Sequence, residues 1–98
     1  MESYWKQFIN NNFEDLLLNI DYDNDLELSL DAFVEFGKFV DTMRMMYIEA
    51  SPVYRTTMLL DFIMSESSDS LFEILCQCLA NTGRYHVVNT YLTIQAAR

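Results

Sequence analysis

Residues 21–29, with the sequence DYDNDLELS, place acidic side chains at alternate positions. An EF-hand calcium loop begins with the same spacing, because several oxygen ligands must converge on one ion. Two positions differ from such a loop. Leu26 stands where a glycine permits the sharp turn, and Ala32 stands where a bidentate glutamate is needed. We therefore expect an acidic surface segment here, and a calcium-binding helical protein is the alternative.

The cysteines and the histidine are poorly spaced for a metal site or a nucleophile. Cys76 and Cys78 lie two residues apart, which points them to nearly opposite sides of a helix. His86 is the single histidine, whereas a tetrahedral zinc site needs four ligands. We predict no enzyme activity, no metal and no cofactor. We also expect Cys78 in the core, Cys76 partly exposed, and both thiols reduced, as in the cytosol.

Length and composition predict one all-α domain that spans residues 1–98. Hydrophobic residues form 51% of the chain, which is too apolar for a disordered segment. With 2 Gly and 1 Pro, turn-rich β folds are disfavoured and helices with short links are favoured. No apolar run reaches the length of a membrane span, and the N-terminus lacks the pattern of a signal peptide. We expect a cytoplasmic protein.

The charge of the chain is acidic and uneven. It has 6 Lys and Arg against 15 Asp and Glu, a net charge of −9. Nucleic acids and anionic membranes bind clustered Lys and Arg, so we expect neither as a partner. Residues 1–41 carry ten acids and two bases, whereas residues 42–98 carry five acids and four bases. This asymmetry predicts an acidic face that meets a basic partner.

The helical spacing of apolar residues predicts six helices in a compact antiparallel bundle. We place them at about residues 4–20, 30–36, 41–49, 52–64 and 70–80, and from about residue 85 onward. The asparagines at 10–12 predict a bend or break in the first helix, with Asn12 capping its second half. Gly37 is expected to end the second helix in the left-handed conformation. Further caps are predicted at Ser29, Asp41, Ser51 and Ser70.

Facing apolar stripes on the fourth and fifth helices predict the centre of the core. Its predicted members are Leu59, Leu60, Phe72, Leu75 and Leu79. The polar residues 65–69, with the sequence SESSD, are expected to link these two helices.

The second half of the chain resembles the caspase-recruitment domains, or CARDs. Residues 55–63, RTTMLLDFI, resemble the fourth helix of that family, and residues 71–83, LFEILCQCLANTG, resemble its fifth. Residues 86–92, HVVNTYL, are similar to the start of its sixth helix. The bent first helix and the segment FGKFVD at 36–41 also resemble the family. The ordered pattern covers most of the chain.

This resemblance implies a death-fold bundle of six helices that acts as an adaptor module. Such a domain associates with another CARD, and a helical assembly can follow, in apoptotic or innate-immune signalling. The chain departs from the family in its acidic segment before the second helix and in its SESSD link. A CARD-only decoy inhibitor is an alternative with the same fold.

The resemblance also implies which residues bind the partner. CARD pairs dock a basic face on helices one and four against an acidic face on helices two and three. The candidate acidic-face residues are Asp25, Glu27, Asp31, Glu35 and Asp41. Lys6 and Arg55 are the weaker candidates for a basic face. We expect the chain to offer its acidic face to the basic face of a caspase, adaptor or receptor that contains a CARD.

Overall fold

The computed structural model describes residues 4–46 and 51–83, together with His86 and Asn89. All regular structure in these residues is helical, which confirms the all-α class. The α-helices are α1 (Tyr4–Asn11), α2 (Phe13–Asn19), α3 (Glu27–Asp31), α4 (Gly37–Met45), α5 (Pro52–Glu66) and α6 (Asp69–Asn81). A π-helical turn, Tyr22–Leu26, joins α2 to α3, and a 3₁₀ turn, Val34–Phe36, precedes α4.

The predicted break in the first helix is confirmed. Helix α1 ends at Asn11 and α2 begins at Phe13. The predicted capping bond of Asn12 is wrong, however. Its side-chain amide donates to the carbonyl oxygen of Phe8 at 2.9 Å, so it stabilises the end of α1 instead of the start of α2.

The structure differs most from the prediction in the acidic segment. We expected a connection followed by a helix that Ser29 caps, but the chain is already helical at residue 22 and α3 ends at Asp31. Tyr22, Leu26 and Leu30 explain the difference. They recur every four residues and are fully buried, so they form a helical apolar stripe between the acidic side chains.

A buried apolar stripe also explains why the boundaries of the next helix differ from the prediction. Gly37 has a φ of −55° and begins α4, so its predicted left-handed role is wrong. Asp41 lies inside α4 and does not cap it. The stripe of Phe36, Val40 and Met43 is buried along one side, which favours a helix through this whole segment. Helix α4 ends at Met45, and the rest of the predicted third helix lies outside the described residues.

Helix α5 begins where the sequence predicts. The hydroxyl of Ser51 accepts a hydrogen bond from the backbone N–H of Tyr54 at 3.1 Å, and Pro52 is the first helical residue. The helix continues through Glu66, two residues beyond the predicted end. Ser67 then turns the chain with a φ of 53°.

Helix α6 begins earlier than predicted. Ser68 is its cap and accepts from the backbone N–H of Leu71, so the predicted capping box of Ser70 and Glu73 is wrong. The link between α5 and α6 is therefore only Ser67 and Ser68. Gly83 follows α6 with a φ of 82°, a conformation that favours glycine.

The predicted centre of the core is confirmed. All five predicted members are buried: Leu59, Leu60, Phe72, Leu75 and Leu79. Helix α1 packs on α6, because Trp5 stacks on Phe72 with ring centroids 5.4 Å apart. The indole N–H of Trp5 also donates to the carboxylate of Asp69. A second aromatic contact, Phe39 on Phe62 at 5.2 Å, joins α4 to α5.

The predicted sixth helix lies outside the described residues, apart from His86 and Asn89, which are helical and exposed. In the part of the chain that the structure describes, no helix combines the length and the apolar character that crossing a membrane requires.

Leu75→Ala should lower the free energy of unfolding by about 2–5 kcal/mol, because it leaves a cavity in the packed interface of α6. Leu18→Ala is the matched control, since Leu18 is 84% exposed, and it should change stability by less than about 0.5 kcal/mol. Denaturant unfolding of both variants measures the difference. Equal stability losses would show that α6 does not bury the face that carries Phe72, Leu75 and Leu79.

Candidate functional site

Arg55 lies in the interior, although the sequence suggested a basic face. Its side chain is 3% exposed, and that of Asp23 is 12% exposed. The Nε and Nη2 atoms of Arg55 each donate to one carboxylate oxygen of Asp23 at 2.6 Å. This bidentate geometry is the strongest that an arginine and a carboxylate form. Arg55 therefore does not serve as a surface cation in this structure.

The backbone around this ion pair explains why Asp23 faces inward. The π-helical turn carries Asp23 between the buried residues Tyr22 and Leu26. The hydroxyl of Thr56, one residue beyond Arg55, lies within hydrogen-bond distance of two carbonyl oxygens, that of Pro52 in its own helix at 3.2 Å and that of Ile20 at 3.4 Å. These contacts hold the start of α5 against the end of α2 and the acidic segment that follows it.

Tyr22 and Glu27 place polar atoms in the interior beside this ion pair. The hydroxyl of Tyr22 and the Oε1 atom of Glu27 are buried, and neither has a hydrogen-bond partner among the described residues. The ring of Tyr22 packs edge-on against Phe39, with centroids 5.8 Å apart. Burial raises the pKa of the Tyr22 phenol, and the Glu27 carboxylate adds to the rise. Tyr22 therefore stays neutral at physiological pH.

Three of the predicted acidic-face residues, Asp31, Glu35 and Asp41, are exposed on α3, the 3₁₀ turn and α4. We call these three the α3–α4 acidic surface. Arg44 forms an ion pair on this surface, since its Nη2 atom lies 3.2 Å from the carboxylate of Asp31. Glu27 is half-buried next to this surface, and the side chain of Asp25 lies outside the described residues.

Sequence reasoning missed three apolar residues beside this surface. Leu28 is 81% exposed, Val34 90% and Met45 86%. For Leu28, the sequence does contain a signal, namely the helical phase of the buried residues Leu26 and Leu30. Once Leu26 and Leu30 face inward, Leu28 must face outward, because it lies about 200° around the helix from each of them.

Lys6, the other predicted basic residue, is bound locally. Its Nζ atom donates to the hydroxyl of Ser67 at 2.5 Å and lies 5.8 Å from the ring centroid of Trp5. The lysine therefore ties α1 to the turn between α5 and α6. The positive charge of Lys6 thus lies beside the turn that precedes α6.

Two acids of the calcium-loop alternative, Asp21 and Asp23, are engaged in other contacts. Asp21 accepts from the backbone N–H of Asn24 at 3.2 Å and from its side-chain amide at 2.6 Å, and Asp23 binds Arg55. Within residues 4–46 and 51–83, no three acidic, histidine or cysteine side chains are grouped to hold a metal ion. Asp21 thus acts as a local cap and Asp23 as the partner in an internal ion pair.

The two cysteines have the predicted burial: Cys78 is in the core and Cys76 is half-buried. Burial raises the pKa of both thiols, and that of Cys76 rises to about 12 with a further contribution from the Glu73 carboxylate. A protonated thiol is a poor nucleophile and a poor metal ligand. These cysteines therefore pack as small apolar side chains.

We compared the chain with protein-family models, curated proteins and solved structures, and no match was found in any of the three.

Arg55→Ala should lower the free energy of unfolding by about 3–5 kcal/mol, because it leaves the Asp23 carboxylate buried without its partner. Arg44→Ala removes the same side chain from an exposed ion pair and should cost less than about 1 kcal/mol. Urea unfolding of the two variants gives the comparison. An Arg55→Ala variant as stable as Arg44→Ala would contradict the buried arrangement.

The Cys76 thiol should react slowly with iodoacetamide at pH 8, at least about 100-fold slower than in the denatured chain, because the raised pKa suppresses its thiolate form. The same shift stabilises the fold below the ordinary thiol pKa of about 8.5, and this contribution is lost as pH rises from there toward about 12. Alkylation followed by mass spectrometry tests the first statement. Equal rates in the native and denatured chains would refute it.

Proposed function

We propose that the chain is a CARD-like adaptor module of the death-fold type, which binds the basic face of another CARD through the α3–α4 acidic surface. The observation that carries this proposal is the burial of Arg55. With that guanidinium inside the protein, the three exposed acids of the α3–α4 acidic surface are accompanied by two exposed bases on α4, Lys38 and Arg44, so the surface keeps a net negative charge. A surface of net negative charge is complementary to a partner of positive charge.

Two other described bases, Arg44 and Lys6, bind groups within the protein, which also favours docking through the acidic surface. Arg44 pairs with Asp31 and Lys6 binds Ser67, whereas Lys38 is exposed. A basic face built on the first and fourth helices of the family would need Lys6 and Arg55 together. Lys6 is bonded to Ser67 in the turn between α5 and α6, and Arg55 is buried, so the chain is better suited to supply the acidic partner of a pair.

The order of the helices also supports the proposal. The broken pair α1 and α2 corresponds in sequence to the bent first helix of the family, and α5 and α6 correspond to its fourth and fifth helices. The acidic surface then falls on the counterparts of the second and third helices. In this role the chain needs no cofactor and no catalytic group, because its function is association in a signalling assembly.

The double variant Asp31→Lys with Glu35→Lys tests the proposal against a panel of isolated CARDs that carry basic faces. Affinity should fall at least about 30-fold, which is about 2 kcal/mol, and its salt dependence should decrease, because the attraction to the basic face is reversed. The control is Glu14→Lys with Asp15→Lys on α2, which changes the net charge equally at two other exposed acids. Isothermal titration calorimetry at two salt concentrations provides both quantities.

The proposal fails if the two double variants bind equally well. It also fails if the unmodified chain binds no member of the panel.

A further inference from the structure

A groove with a volume of about 400 Å³ lies between α4 and α5, and we call it the α4–α5 groove. Its apolar lining comprises Phe39 and Met43 of α4 and Met58 and Phe62 of α5. The rings of Phe39 and Phe62 stack with centroids 5.2 Å apart, so the two helices meet beneath it. Asp41 of the acidic surface lies about 200° around α4 from both Phe39 and Met43. The groove and the acidic surface therefore face different sides of the helix.

The apolar side chains of the groove are accessible to a ligand in part. Phe39 and Met43 are buried, whereas Met58 and Phe62 are half-buried and still reach solvent. The flexible thioether of methionine repacks around apolar groups of different shapes, which suits a protein-binding surface. An apolar ligand group can therefore cover Met58 and Phe62 without moving the core.

The charged groups of the groove differ in sign from one helix to the other. Lys38 on α4 and Asp61 on α5 both line the groove and are exposed. Within residues 4–46 and 51–83, no ion pair engages the Lys38 ammonium or the Asp61 carboxylate. The two hydroxyls of the lining donate within their own helices, Thr42 to the carbonyl oxygen of Lys38 at 2.9 Å and Ser65 to that of Phe62 at 3.0 Å. One rim thus offers a positive charge to a ligand and the other rim a negative charge.

The shape of the groove indicates which class of ligand it can hold. A small molecule needs a pocket that covers most of its surface, whereas this groove is open to solvent. Strand addition needs the exposed edge of a sheet, and the described residues contain no strand. An amphipathic helix needs only one covered face, which a groove between two helices provides.

We infer that the α4–α5 groove binds an amphipathic helix of a partner protein, whose apolar stripe has an acidic residue on one flank and a basic residue on the other. The acid pairs with Lys38, the base pairs with Asp61, and the stripe covers Met58 and Phe62. A second copy of this chain is a poorer occupant, because two chains of net charge −9 repel each other. The groove is separate from the surface that carries Asp31, so this inference and the proposed function can fail independently.

The test uses two synthetic stapled helices of about 16 residues, each with leucines at i and i+4 on one face. The mixed peptide carries Glu on one flank of that face and Lys on the other, and the acidic peptide carries Glu on both flanks. Fluorescence anisotropy of the labelled peptides measures their affinity for the full chain. The unmodified chain should bind the mixed peptide at least about fivefold more tightly than the acidic one. Asp61→Lys makes both rims basic and should reverse this preference.

Two further variants locate the binding site. Asp15→Lys on α2 is the matched control, because it changes the net charge equally at another exposed acid, and it should keep the preference of the unmodified chain. Thr42→Trp fills the groove from an exposed position and should weaken binding of the mixed peptide at least about tenfold. The melting temperature of each variant, followed by circular dichroism, verifies that the fold is intact.

The inference is wrong if neither peptide binds the unmodified chain at concentrations up to about 1 mM. It is also wrong if Asp61→Lys leaves the preference unchanged, or if Asp15→Lys reverses it as well, because the rim charges would then not select the partner. Binding of the mixed peptide to the Thr42→Trp variant within about twofold would place the peptide elsewhere on the chain. Sedimentation equilibrium of the chain alone is the last check, since a dimer that Thr42→Trp dissociates would assign the groove to a second copy.

Discussion

The buried ion pair between Arg55 and Asp23 is the contact on which the arrangement of this protein depends. It joins the acidic segment to the first turn of the long helix α5 across 32 residues of sequence. A buried pair adds little net stability compared with a well-packed apolar pair, but the loss of one partner is severe. The burial of Asp23 therefore requires Arg55 beside it, and the two side chains together link the segment to α5. The stripe of Tyr22, Leu26 and Leu30 lies in the core, and Asp23 lies on the same turn of the chain as its first members.

The orientation of that segment divides the acids into two groups with different roles. Asp21 and Asp23 are used within the protein, one as a local cap and one as the partner of Arg55. Asp31, Glu35 and Asp41 remain at the surface. Leu28 is exposed for the same reason, because it lies opposite the buried stripe of α3. Thus the phase of the buried stripe explains both the inward position of Asp23 and the outward position of Leu28.

The sequence predicted α5, α6 and the break in the first helix well, because local signals mark them. Ser51 and Pro52 start a helix by their own chemistry, and Leu59 and Leu75 belong to unambiguous apolar stripes. The helical structure of the acidic segment, residues 22–31, was harder to predict from the sequence. Its three buried residues are separated by charged ones, so the polar composition concealed the helical period. The role of Arg55 was not predictable from local pattern at all, because its burial depends on a partner that is distant in the chain.

The candidate site was accordingly predicted in part. The exposed acids Asp31, Glu35 and Asp41 follow from residue type and helix phase, whereas the exposure of Leu28 required the observed phase of α3. Residue type alone also cannot distinguish an arginine that binds a partner protein from one that binds an internal aspartate. Charge at a position becomes a functional argument only after its burial and its partner are known.

A double-mutant cycle on Asp23 and Arg55 tests this account most directly. The free energy of unfolding is measured for the unmodified chain, Asp23→Ala, Arg55→Ala and the double variant, and the coupling between the two changes is extracted. The account predicts a coupling of about 2 kcal/mol or more, with the double variant clearly more stable than the sum of the single losses implies. A coupling below about 0.5 kcal/mol would contradict it, because the two side chains would then behave as independent, solvated charges.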